Sequence, residues 1–321
     1  MKICVVGCGR WGSLITWYLD RHGHDVTLYG RESSPHMQRF LSERKNDLLE
    51  LPESVELTTC LDRIGESEVI IISIASQGLR AFMREIERLE LRNKIFILCM
   101  KGLEIGTGKR LSEIVTEYLC PSNSVAVWLG PGHVQEFYSG IPNCMVIDST
   151  DEGVKKLLVN EFSSELIRFY YGTDIIGNEI GAAAKNVVGI AAGMLDGMRL
   201  TTLKGALMSR GTREIAKLIS AMGGNEMSAY GLCHLGDYEA TVFSRYSHNR
   251  QFGESFVKGE EYGLLAEGYY TVKALVHLGE RYGVELPICR AVYSILWENA
   301  DATEKLGELF RRKIKQEFDL I

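Results

Sequence analysis

The sequence predicts an α/β N-terminal half on a mainly parallel sheet, followed by an all-helical C-terminal half. Two observations carry this: strand-like and helix-like segments alternate early in the chain, and the strand signal stops after about residue 175. KICVVG (2–7) is a continuous apolar run, as a strand buried on both faces requires. Residues 10–22 read as a helix and DVTLYG (25–30) as a second strand. VIIISIA (69–75) and KIFILCM (94–100) are two more strands, flanking a helical stretch at about 78–91. VAVWLG (125–130) and CMVID (144–148) follow. The segment from Ile180 to Leu195 is rich in Ala, Gly and Val without strand alternation, which fits a tightly packed helix. Helical periodicity continues through 204–222, 263–282, 287–299 and 302–317. The Gly-rich, polar stretch 223–262 reads as a long functional loop. The boundary near 172–180 divides the chain into 1–175 and 176–321.

Composition excludes several classes. The chain has 321 residues and a formal net charge of -6, so nothing draws it as a whole to nucleic acid or an anionic membrane. No secretory signal pattern and no apolar run long enough for a membrane span is present. The eight cysteines include no C-x-x-C pair, and reduced thiols in a cytoplasmic protein are expected, with no metal site. A phosphate site must therefore be a local basic cluster.

Gly7-x-Gly9-x-x-Gly12 follows a strand and opens a helix. In that context the pattern predicts a Rossmann-type dinucleotide site. Gly7 permits the tight turn, Gly9 lets backbone approach a pyrophosphate, and Gly12 allows helix and strand to pack closely. The helix N-terminus adds free N–H groups and positive potential. The second strand ends in Tyr29-Gly30-Arg31-Glu32. Arg31 suits a 2′-phosphate and Glu32 a ribose diol, so both NADP and NAD are open, with NADPH favoured.

Three further segments combine ionisable residues with glycine: Met100 to Glu104, Gly181 to Asn186, and Leu235-Gly236-Asp237 with Ser247 to Arg250. A lysine beside an asparagine in an Ala/Gly-rich helix is costly to bury unless both face a polar site. Hydride delivery to a ketone leaves an alkoxide that needs a proton, and a lysine ammonium supplies both charge and proton. Burial and a second cation, Lys101, would lower the Lys185 pKa; Asp237 would oppose that and orient the ammonium.

These segments resemble the NAD(P)-dependent glycerol-3-phosphate dehydrogenases, especially the bacterial form. The matching stretches are GCGRWG, Lys101-Gly-Leu-Glu, Gly130-Pro131, GAAAKNVVGIAAGMLDG (181–197), SRGTREIAKL (209–218), Leu235-Gly236-Asp237, Ser247-x-Asn249-Arg250-x-Phe252-Gly253 and Ala266-Glu267-Gly268. The resemblance implies a C-terminal domain like that of 6-phosphogluconate dehydrogenase, and a homodimer through the helical half. It implies NAD(P)H-dependent reduction of dihydroxyacetone phosphate to sn-glycerol 3-phosphate, a step of glycerophospholipid metabolism. Lys185 would be the acid/base, with Lys101 and Asp237 beside it. Lys101, Asn186, Gly130, Gly132, Thr241, Ser247, His248 and Asn249 would line the substrate. Gly7, Gly9, Arg10, Trp11, Gly12, Arg31, Lys101, Val134, His248, Leu265 and Glu267 would meet the cofactor.

The chain departs from that family's pattern at two places. The family reads Arg where this chain has His248, and Ser or Thr where it has Gly132. Histidine makes no bidentate grip on phosphate. Arg250 could stand in for the missing cation, or the pocket could take a different small, anionic carbonyl compound. A catalytically silent NAD(P)-binding regulator is the rival from another class; the retained lysines argue against it. His133 and Glu136 read as a surface helix start, His22, His24 and His36 as surface histidines, and the basic stretch 305–315 as the solvated face of a terminal helix.

Overall fold

In the computed structural model, residues 1–314, 316 and 317 are described. The first half alternates as expected: β1 (Lys2–Val6), α1 (Arg10–Arg21), β2 (Asp25–Tyr29), α2 (Pro35–Glu43), β3 (Glu56–Thr58), β4 (Val69–Ile72), α3 (Leu79–Glu87) and β5 (Ile95–Leu98). Then come α4 (Leu111–Thr116), β6 (Ser124–Leu129), α5 (Val134–Tyr138), β7 (Asn143–Ser149), α6 (Glu152–Phe162) and β8 (Ile167–Tyr171). The eight strands form one sheet in the order β3-β2-β1-β4-β5-β6-β7-β8. Only the β6/β7 pair is antiparallel. The order reverses between β1 and β4, where Val6 pairs with both Tyr29 and Ile72. At such a switch point the loops on either side diverge and leave a crevice at the carboxyl ends of the strands.

β8 adds an edge strand that the apolar runs did not disclose. Its IRFYY alternates buried and exposed, and two tyrosines face solvent. An edge strand has one open flank and needs no continuous apolar run. His24, expected at the surface, is buried, its ring nitrogens meeting the Met1 amino group at 3.3 Å and the Glu161 carbonyl at 3.2 Å.

The second half is helical: α7 (Ile175–Gly197), α8 (Lys204–Ala221), α9 (His248–Lys258), α10 (Glu267–Tyr282), α11 (Pro287–Trp297) and α12 (Ala302–Phe310). The stretch 223–262 is not one loop. It holds short helical turns at Glu226–Tyr230, Leu235–Asp237 and Glu239–Phe243, and then α9. Its sparse apolar residues misled because glycine, not bulk, makes the contacts. α10 begins at Glu267 rather than 263, and α12 stops at Phe310. Residue 315, within the expected terminal helix, lies outside the described residues.

α7 is the axis of this half, buried without interruption from Gly177 to Leu195. α9 crosses it at near backbone contact. A Cβ on Gly253 would stand 2.1 Å from the Ile190 carbonyl oxygen, and one on Gly193 1.9 Å from that of Arg250. Neither backbone can yield without parting the helices. Gly253→Ala should therefore lose about 1–3 kcal/mol despite alanine's better helix propensity. Urea unfolding measures this; an unchanged or raised midpoint contradicts the close-packed crossing.

Candidate active site

Four loops meet at the carboxyl ends of parallel strands: Gly7 to Gly12 after β1, Ser73 to Ser76 after β4, Met100 to Leu103 after β5, and Gly130 to His133 after β6. The helical half faces them with α7, the turns at 235–243, and the first residues of α9 and α10.

Asp237 lies at the centre and is 1 % exposed, with two polar contacts on one carboxylate oxygen and none on the other among the described residues. Its Oδ2 is 2.9 Å from Lys185 Nζ and 2.7 Å from Lys101 Nζ. Lys185 also donates to Thr241 Oγ1 at 2.8 Å, and that hydroxyl donates to the Asp237 carbonyl at 2.7 Å. Lys101 donates to the Gly130 carbonyl at 2.6 Å. An ammonium has three N–H donors, so each lysine keeps one. Burial pushes the Lys185 pKa down to about 8, with Asp237 opposing and Lys101 assisting.

Asn186, next along α7, donates to the Lys101 carbonyl at 2.8 Å and accepts from Asn249 Nδ2 at 3.1 Å. Asn249 Oδ1 accepts from the Gly268 amide at 2.9 Å, which ties α7, α9 and α10 to the β5 loop. Ser247 caps α9, accepting from the Arg250 amide at 3.3 Å. Glu267 at the head of α10 accepts from the Ser76 amide at 3.1 Å and from the Ser76 hydroxyl, and burial raises its pKa. Ser76 was missed in the sequence. Its place just beyond the end of a parallel strand was the available signal.

The glycine turn fits a dinucleotide. Gly7 has φ +108°, and a Cβ on Gly12 would stand 1.8 Å from the Gly7 carbonyl oxygen, so both must be glycine. A Cβ on Gly9 would meet nothing within 4 Å, so its face of the turn is open to a ligand. Gly9 caps α1 with no side-chain hydrogen bond, and the first turn carries no acid. That leaves its amides for an anion. Trp11 Nε1, His133 Nε2 and Asp237 Oδ1 are buried without a partner among the described residues. Three unsatisfied polar atoms at one site mark a pocket whose contacts a ligand completes.

The other expected contacts are scattered. Val134 is buried at the start of α5, and Leu265 is half exposed ahead of α10. Arg31 is exposed and pairs with Glu85 at 2.8 Å. His133 is no surface residue: burial foremost, then Lys185, pushes its pKa down to about 4, and its ring stands edge-on to Tyr246. Arg250 does not replace the missing arginine. Its guanidinium is engaged by Asp196 at 2.8 Å, Glu254 at 2.9 Å and the Ser244 carbonyl at 3.1 Å. A cavity of about 800 Å³ lies elsewhere, between α7, α8, α11 and α12, lined by Leu195, Leu207, Ile288, Ile295 and Phe310. None of the residues around Lys185 lines it. Among the described residues no group of His, Cys, Asp and Glu could hold a metal, and no helix is long and apolar enough to cross a membrane.

A Rossmann sheet whose crevice is closed by a lysine-bearing helical half defines a two-domain nucleotide-dependent dehydrogenase. Residues 2–155 match the N-terminal model of the NAD-dependent glycerol-3-phosphate dehydrogenases, and residues 174–306 match the C-terminal one. The chain belongs to this family. It is 35% identical to the glycerol-3-phosphate dehydrogenase [NAD(P)+] of Pelodictyon phaeoclathratiforme, covering 99% of this chain and 100% of that one. Identity to the Thermoanaerobacter protein of the same name is 33%, covering 99% of each. The crystal structure of glycerol-3-phosphate dehydrogenase from Coxiella burnetii superposes with a TM-score of 0.89 at 28% identity, covering 97% of this chain and 98% of that one.

Gly132, where the sequence lacks the expected hydroxyl, has φ +144°, and a Cβ there would stand 2.2 Å from the Phe137 ring. The ring occupies the room a serine needs. Gly132→Ser should lose about 1–3 kcal/mol of stability without raising kcat/KM. A stable, faster variant would mean that the Phe137 ring yields and that the hydroxyl does contribute to turnover.

Proposed function

We propose that this chain catalyses the NAD(P)H-dependent reduction of dihydroxyacetone phosphate to sn-glycerol 3-phosphate, with Lys185 as the proton donor and, in reverse, the acceptor. The single observation that carries the reading is the buried Lys185 ammonium with one N–H left free beside the Asp237 carboxylate. A bound nicotinamide supplies hydride to the carbonyl carbon. Gly7, Gly9 and Gly12 would hold the pyrophosphate, with Trp11, Val134 and Glu267 around the rest of the cofactor. Arg31 favours NADPH, since breaking its exposed pair with Glu85 costs little.

The substrate carbonyl oxygen takes the third N–H of Lys185. As that oxygen becomes an alkoxide, the ammonium stabilises the charge and passes it a proton, leaving a neutral amine and a secondary alcohol. Asp237 and Thr241 hold the amine in place in both protonation states. Lys101 adds a second positive charge, which favours the oxyanion and lowers the cost of Lys185 losing its proton. Asn186 and Asn249 fix the spacing between α7 and the β5 loop. Family membership also supports a cytoplasmic homodimer, joined through the helical half, that supplies glycerophospholipid synthesis.

A shuttle with a pKa of about 8 has a defined pH signature. Ketone reduction needs the ammonium, so its kcat/KM should fall as pH rises through about 8; alcohol oxidation needs the amine and should rise over the same range. Flat profiles in both directions would remove Lys185 from the role. Lys185→Ala should lower kcat about 10²–10⁴-fold while NADPH binding, followed by fluorescence, stays intact.

A further inference from the structure

Arg10 opens α1 on the sheet half, directly after Gly9 of the phosphate turn. Its guanidinium reaches across to the helical half. Nη1 stands 2.6 Å from His248 Nε2, and Nη2 donates to Gln135 Oε1 at 3.3 Å. Among the described residues it has no ion pair with a carboxylate, and burial lowers its pKa. Partly buried guanidinium groups are ordinarily paired with an acid. One that is held only by neutral partners, beside an uncapped helix start, is a cation waiting for an anion.

The partners are neutral for a physical reason. A guanidinium has no acceptor, so His248 Nε2 must accept and carries no proton. The ring's other N–H can then serve the backbone of Leu265, with which His248 is hydrogen-bonded. Burial, and then the Arg10 charge, lowers the His248 pKa and keeps it in that form. His248 is therefore a positioning residue and not itself the phosphate-gripping cation. The nearest other arginine on α9, Arg250, is consumed by Asp196 and Glu254.

We infer that Arg10 is the residue that recognises the phosphate of the substrate, held in place across the crevice by His248. The cation thus comes from the cofactor-binding turn and not from the helical half. The same guanidinium closes the two halves over a phosphorylated ligand. This inference rests on the proposed reaction for the identity of the substrate, but not for the existence of the anion site.

The test is titration calorimetry on the full chain with three probes: sn-glycerol 3-phosphate on the NADP-loaded protein, inorganic phosphate on the same complex, and NADPH alone. Arg10→Ala should weaken both phosphate probes about tenfold or more and change NADPH affinity little. Adding His248→Arg to Arg10→Ala should restore phosphate binding, because a guanidinium on residue 248 reaches the space that Arg10 leaves. His248→Gln, which keeps an acceptor, should preserve more of the affinity than His248→Ala. Weakening of NADPH to the same extent would assign Arg10 to the pyrophosphate and overturn the inference. Unchanged phosphate binding in Arg10→Ala, in a variant that still binds NADPH, would overturn it too. A wild-type protein that binds inorganic phosphate through Arg10 yet neither binds nor oxidises glycerol 3-phosphate would sink the proposed substrate and leave the Arg10 site standing.

Discussion

The Asp237 carboxylate is the constraint on which the site depends. Two ammonium groups converge on one of its oxygens, one from the β5 loop and one from α7. Without it, two cations would face each other in a buried pocket. Removing one partner of a buried ion pair costs about 3–5 kcal/mol, because a charge is left uncompensated. The same carboxylate keeps Lys185 from losing its proton outright. Burial drives its pKa down, and Asp237 halts the descent at about 8, where both forms exist near neutral pH. His234 lies behind this group, its ring bonded to the Gly181 carbonyl at 2.8 Å and the Tyr238 hydroxyl at 2.7 Å. That anchors the short turn that carries Asp237 to the N-terminal part of α7.

Holding Asp237 there requires the helices of the second half to meet closely, and glycine makes that possible. α7 packs against α9 at Gly193 and Gly253, so the 241–249 segment reaches Lys185 and Asn186 directly. Bulkier residues would push Thr241 and Asn249 out of hydrogen-bond range. Polar clasps then link the helical half to the sheet: Glu267 with Ser76, Asn186 with the Lys101 carbonyl, and Arg10 with His248. Each joins a segment at a strand's carboxyl end to a helix of the second half, so the contacts that hold the halves together also assemble the site.

Much of this was legible in the letters. Buried strands announce themselves as apolar runs, and the glycine turn carries its own conformational reason. Lys185 and Asn186 stood out because charge in an Ala/Gly helix has to be accounted for. What failed did so on physical grounds. β8 is an edge strand with an alternating face, and α9 packs through backbone, so neither has the apolar mass that periodicity detects. His133 and His24 looked like surface residues because burial of a short polar side chain depends on what folds over it.

By itself the sequence determined most of the order of elements, the glycine turn and the choice of Lys185 as the candidate acid/base, since each follows from local pattern or from the cost of burying a particular group. Only the tertiary structure decided how the charges are shared. Arg250, four residues from Glu254, is taken by acids, whereas Arg10 is left for an anion and turned toward His248, 238 residues away. Partnership between charges is set by distance in space, and chain position does not encode that distance until the sheet and the helices have packed.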